Sequence, residues 1–118
     1  MIVYGIPNCD TVKKARQWLT ARDVAHEFHD FKKRGVPPAQ LARWIEALGW
    51  PAVINRQGTT WRKLDGAAQA GVQDAASASA LALAQPSLVK RPVVEWPDGS
   101  VSVGFEAENW SSRLVNKL

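Results

Sequence analysis

One cysteine in 118 residues excludes an internal disulfide and any zinc site built on several thiolates. The fold therefore does not depend on oxidising surroundings. Long apolar runs are also missing, since nothing approaches the roughly 18–20 residues that cross a bilayer. Residues 1–7 (Met-Ile-Val-Tyr-Gly-Ile-Pro) lack a basic stretch followed by an apolar one. No secretory signal is expected, and a cytoplasmic location without membrane attachment is. Acidic residues are the scarcer sign, 11 against 15 Lys and Arg, for a net charge of +4. That balance favours anionic small molecules or acidic partners. The basic residues are spread along the chain rather than clustered, which argues against a nucleic-acid partner.

What is present is the composition of a globular chain, 46% hydrophobic and 22% charged. Its length suits one domain over residues 1–118. Residues 1–4 read as a short buried strand, punctuated by Gly5 and Pro7. A helix begins at Asn8 or Cys9 and runs to about Arg22, with Val12, Ala15, Trp18 and Leu19 at helical spacing. Apolar–polar alternation from Val24 to Phe31 predicts a second strand. Strand, helix, strand is a βαβ unit with its two strands parallel.

A basic connection over 32–36 leads to Pro37-Pro38 and a helix carrying Leu41, Trp44, Ile45 and Leu48, closed by Gly49. An irregular helical stretch follows from Trp50 to Leu64, interrupted near Gly58. Residues 72–84 are Ala-rich and helical by propensity. Val93 to Trp96, the turn Pro97-Asp98-Gly99, and Val101, Val103 and Phe105 describe a hairpin. A last helix places Ala107, Trp110, Leu114 and Leu118 on one face. The result is an α/β fold with a mixed sheet, a βαβ unit plus a ββα unit, and a helical insertion at about 37–85.

Cys9 falls between the first strand and the first helix. The amides of a first helical turn have no intrahelical partner, and the helix dipole is positive there. A thiolate at that point is stabilised below the free-thiol pKa of about 8.5. Thr11 can add a hydroxyl donor, and Lys13 lies one turn on, whereas Asp10 opposes them. A lone cysteine can equally be a small buried hydrophobe. Its polar neighbours Asn8, Asp10, Thr11 and Lys13 favour a reactive thiol. Val12 stands where a Cys-x-x-Cys motif would have its second thiol, so an external thiol must resolve any oxidised state. Glutathione is the obvious one.

Three further groups stand out. In Lys90-Arg91-Pro92, Pro92 is a candidate cis bond or rigid turn. Arg91 offers a fork to a carboxylate or oxyanion, or is a solvated surface residue. The polar segment Asn55 to Lys63 contains Arg56 and Trp61. It either lines a small-molecule cleft or serves as a connection, with Trp61 the tryptophan most suited to a cleft. His26 and His29 would point to opposite faces of a strand, so no shared metal is expected.

Residues 4–15 (Tyr-Gly-Ile-Pro-Asn-Cys-Asp-Thr-Val-Lys-Lys-Ala) resemble the N-terminal signature of the arsenate reductase/Spx (ArsC-like) family. Gly58 to Leu64, Lys90 to Val93, and Val103-Gly104-Phe105 extend the likeness, which is greatest to the YffB-like branch of glutathione-dependent thiol reductases. The resemblance implies a thioredoxin-like fold, with Cys9 as nucleophile. Arg91 takes the place of an arginine that meets substrate oxyanion or glutathione, and Pro92 that of the cis-proline facing the cysteine. Gly5 stands where arsenate reductases have an assisting His, and Gly104-Phe105 in the region of their third arginine. An ungapped match puts Asn55 at their middle arginine and Arg56 one residue later. The Spx branch carries Cys-x-x-Cys and binds the RNA polymerase α subunit; Val12 removes its redox switch.

Together these readings predict a monomeric, glutathione-dependent thiol reductase acting on a disulfide, mixed disulfide or oxidised substrate. Cys9 is its nucleophile. Asn8, Thr11, Lys13, Arg56, Trp61, Arg91 and Pro92 form the expected substrate or glutathione site, with no metal. A glutathione-coupled arsenate reductase and a non-catalytic regulatory binding module are the alternatives.

Overall fold

The computed structural model describes residues 1–115. Its centre is a four-stranded sheet in the order β2-β1-β3-β4, formed by β1 (Ile2–Gly5), β2 (Glu27–Asp30), β3 (Val93–Glu95) and β4 (Val101–Val103). β1 and β2 run parallel, while β1–β3 and β3–β4 are antiparallel. This is the thioredoxin-like arrangement expected above, a βαβ unit joined edgewise to a ββα unit.

Alternation along the strands feeds two cores. Tyr4 and Val93 point to one face and pack with Phe31, Trp44, Ile45, Val53 and Val89. Val3 and Val94 point to the other and pack with Ala15, Leu19, Trp96 and Trp110. Helix α1 (Asp10–Ala21) covers the second face through Val12, Ala15 and Leu19. Helix α8 (Ala107–Val115) joins it through Trp110.

The second strand is shorter than the alternation predicts. β1 begins at Ile2, opposite Glu27, so Val24 to His26 have no strand to pair with. At the other end Asp30, still paired with Gly5, caps a single turn, α2 (Phe31–Arg34), accepting from the Lys32 amide at 2.8 Å. The connection over 32–36 is therefore partly helical, and Phe31 is buried from helix rather than strand.

Helix α3 (Pro38–Leu48) buries Leu41, Trp44 and Ile45 and ends as expected at Gly49, whose φ of 84° suits a residue without Cβ. The irregular stretch resolves into two single turns, α4 (Trp50–Val53) and α5 (Thr59–Arg62), separated by an Ile54–Val89 bridge. The Ala-rich region forms one helix, α7 (Ala75–Ala84), and a separate short helix not expected from the sequence, α6 (Gly66–Ala70), precedes it. Val72 to Asp74 lie between them because Asp74 caps α7, accepting from the Ser77 amide at 2.8 Å. In α8, Trp110 is buried and Leu114 partly so, while Ala107, at the matching helical spacing, is exposed at the first turn. Leu118 lies outside the described residues. Among the described residues no helix is long and apolar enough to cross a membrane.

Candidate functional site

The site grows from the turn after β1. Cys9 is the N-cap residue of α1, with extended backbone (φ −79°, ψ 127°) and no side-chain cap bond. Its amide donates to the Ile6 carbonyl at 3.1 Å, and its carbonyl accepts from Lys13 at 2.9 Å. These bonds pin the Cα, while the half-buried side chain packs against the Tyr4 face of the core. Burial taken alone raises the thiol pKa. The Val12 amide, the Arg91 guanidinium and the Thr11 amide together outweigh it, and the net shift is downward. The opposition expected from Asp10 does not prevail.

Arg91 lines the same cleft as Cys9 and acts on its thiol. It is anchored by a 2.8 Å bond from Nη1 to the Ser87 carbonyl. Its Nε is buried and has no partner of good hydrogen-bond geometry. Its charge acts on the sulfur and favours the thiolate. The Arg91–Pro92 peptide bond is cis, and the Pro92 carbonyl accepts from the Gly104 amide at 2.9 Å. Gly104 holds φ at 80°, so the backbone can turn there without strain. That turn carries the chain from β4 past the thiol toward α8.

Cys9, Thr11 and Arg91 open into a cleft of about 360 Å³, a size suited to a small molecule. Asn55, Lys90 and Glu106 contribute its remaining polar side chains, and Val103 and Phe105 its apolar wall. A second cleft of about 320 Å³ shares Asn55, Lys90 and Val103 with it, and holds Arg56.

The other expected site residues are dispersed. Asn8 is exposed in the turn before α1. Lys13 lines a shallow groove with Arg16 and Gln17 on the outer side of α1, away from the Cys9 cleft. Arg56 belongs to the neighbouring cleft, its guanidinium 5.3 Å from the Trp50 ring centroid. Trp61 packs partly buried on the Tyr4 core, and its carbonyl accepts from Gln69 at 2.9 Å. It does not line the Cys9 cleft.

Sequence reasoning missed Lys90 and Glu106, and passed over Asn55 in favour of Arg56. Asn55 Oδ1 accepts from the Gln57 amide at 3.1 Å, closing a tight turn. A Cβ on Gly58 would come within 2.8 Å of Asn55 Nδ2. The Asn-x-x-Gly spacing was the signal for that turn. Glu106 had no comparable signal. His26 and His29 bond separate backbone carbonyls, those of Val24 and Gly35. Among the described residues no three His, Cys, Asp or Glu gather as metal ligands.

A mixed sheet of this order, with one thiol at the start of α1 and a cis-proline before β3, defines a single-cysteine protein of the thioredoxin-like fold. The model of the ArsC family matches residues 4–112. The chain belongs to that family. A solved YFFB protein is 47% identical, with a TM-score of 0.89 over 96% of this chain and 97% of its own. An arsenate reductase (ArsC) related protein from Brucella melitensis is 48% identical, with a TM-score of 0.74 over 94% and 91% of the two chains. An uncharacterized protein of Haemophilus influenzae is 36% identical, over 96% of this chain and 97% of its own. The family and fold are those of single-cysteine, thiol-redox ArsC/Spx-like proteins.

Proposed function

We propose that the protein is a glutathione-dependent thiol reductase whose nucleophile is Cys9. The observation that carries this reading is the convergence of α1 amides and Arg91 on a half-buried thiol that opens into a cleft. The Cys9 thiolate attacks a glutathione mixed disulfide, forming Cys9–S–S–glutathione and releasing the substrate thiolate, which takes a proton from solvent. A second glutathione gives up its proton and attacks that bond as thiolate. Oxidised glutathione leaves, and the Cys9 thiolate is restored. The balance is one mixed disulfide and one glutathione consumed, one substrate thiol and one oxidised glutathione formed.

Val12 at the Cys-x-x-Cys position supports an external resolving thiol. The cations Lys90 and Arg91 support an anionic partner in the cleft. Mass spectrometry after treatment with oxidised glutathione tests the first half of the cycle, and turnover of a glutathionylated peptide tests the whole. We expect an adduct of one glutathione on Cys9, and turnover abolished in Cys9→Ser. An unmodified Cys9 together with a thiol that titrates like a free one would refute the proposal.

A further inference from the structure

The Cys9 cleft holds three charged side chains besides the thiol: Lys90, Arg91 and Glu106. Among the described residues Lys90 and Glu106 form no ion pair, with each other or with any neighbour. An anion site built for a simple oxyanion would gain from cations alone, and a carboxylate on its wall costs it affinity. Two cations and one carboxylate instead complement a ligand with two carboxylates and one ammonium.

We propose that Glu106 and Lys90 are specificity-determining residues that fit this cleft to glutathione's pair of carboxylates and its γ-glutamyl ammonium, and against inorganic oxyanions. This inference rests on the functional reading above and assigns two of its binding contacts. Glu106 directly precedes α8, and its carbonyl accepts from Trp110 at 3.0 Å, which fixes where its side chain departs. Lys90 is held by its amide bond to the Val53 carbonyl at 2.8 Å. Its stem runs beside Gly104, where a Cβ would lie 3.7 Å from Lys90 Cε. A longer side chain at 104 would compete for that lane. Glycine there leaves the lane to Lys90, a point charge suited to a carboxylate, where a guanidinium would present a fork suited to a tetrahedral oxyanion.

A carboxylate before a helix also favours the helix by itself, so the test must read ligand chemistry rather than stability. Reduced glutathione, N-acetylglutathione (which lacks the ammonium) and inorganic phosphate are titrated separately into the protein and followed by NMR. Native protein should bind N-acetylglutathione about tenfold more weakly than glutathione, the scale of one charge-assisted hydrogen bond. Glu106→Gln should bind the two alike and take phosphate more tightly than native protein does. Glu106→Lys should invert the preference, and Lys90→Met should weaken both peptides by a similar factor. If native protein binds both peptides equally, or Glu106→Gln keeps the native ratio, this inference is overturned while the reductase reading stands. If native protein neither binds glutathione nor forms an adduct with oxidised glutathione, both fall together.

Discussion

Gly5 and Val12 occupy a single space: a Cβ on Gly5 would lie 2.8 Å from Val12 Cγ2. The end of β1 and the first turn of α1 therefore approach as closely as they do because position 5 has no side chain. These are also the two positions at which the sequence differs from the arsenate reductase and Spx patterns it resembles. Packing links the two departures, since a His at 5 would need Val12 to move. Gly5→Ala should destabilise the protein by about 1–3 kcal/mol, the usual cost of overpacking. Adding Val12→Ala should relieve most of that, a non-additivity that denaturant unfolding of the single and double variants would reveal.

Arg91 is a side-chain cation that acts on the Cys9 thiolate. Arg91→Ala should raise the thiol pKa, shifting the pH profile of iodoacetamide alkylation upward and slowing the reaction at neutral pH. Arg91→Lys should restore part of the shift, because it keeps the charge and loses the fork. A profile identical in native and Arg91→Ala protein would contradict the assignment.

The lowered thiol pKa also makes stability depend on pH. Between the folded and unfolded pKa values of Cys9 the unfolded chain binds more protons, so stability rises with pH through that window. The contribution is present in full above the unfolded pKa and is lost as pH falls through the folded one. Cys9→Ser should flatten this part of the curve. Urea unfolding of both proteins at a series of pH values between about 5 and 9 would show it.

At the end of β3, paired with Ile2, Glu95 joins two aromatic residues. Tyr4 Oη donates to it at 2.6 Å and Trp44 Nε1 at 3.0 Å, with Arg43 3.8 Å away. Glu95→Ala would strand two buried donors and should cost about 2–4 kcal/mol, whereas Glu95→Gln, which keeps an acceptor, should cost less. Burial first, then the hydrogen bond and charge of Glu95, hold the Tyr4 phenol well above its ordinary pKa. Tyr4 is the sole tyrosine. Its phenolate absorbance should therefore emerge together with unfolding at alkaline pH. The sign follows from linkage: above about 10 the unfolded phenol has lost its proton and the folded one has kept it, so stability falls as pH rises.

Much of the fold was legible because its signals are local. Helical spacing in α1 and α3, the Gly49 stop, and the turn Pro97-Asp98-Gly99 each act within a few residues. β2 was misjudged in length because a strand ends where its partner ends, and β1 begins only at Ile2. The start of the Ala-rich helix at Ala75 was signalled by Asp74 and Ser77, a cap hidden among good helix formers.

By itself, the sequence determined that the chain carries one thiol, with no second cysteine to resolve it, and that this thiol stands at a helix start. Absence of a second cysteine is a property of composition, and amides at a helix N-terminus come with the local backbone. The charges that share the cleft with that thiol were decided only by the tertiary structure. Arg91, Lys90, Glu106 and Asn55 lie between 46 and 97 residues from Cys9 along the chain. They meet it because β3 pairs with β1 and the turn at Gly104 swings back past Cys9. Lys13, four residues away, is turned to the outer side of α1, since a residue one helical turn on projects from the helix flank rather than over its end. Proximity in sequence misled there, and sheet pairing placed the site.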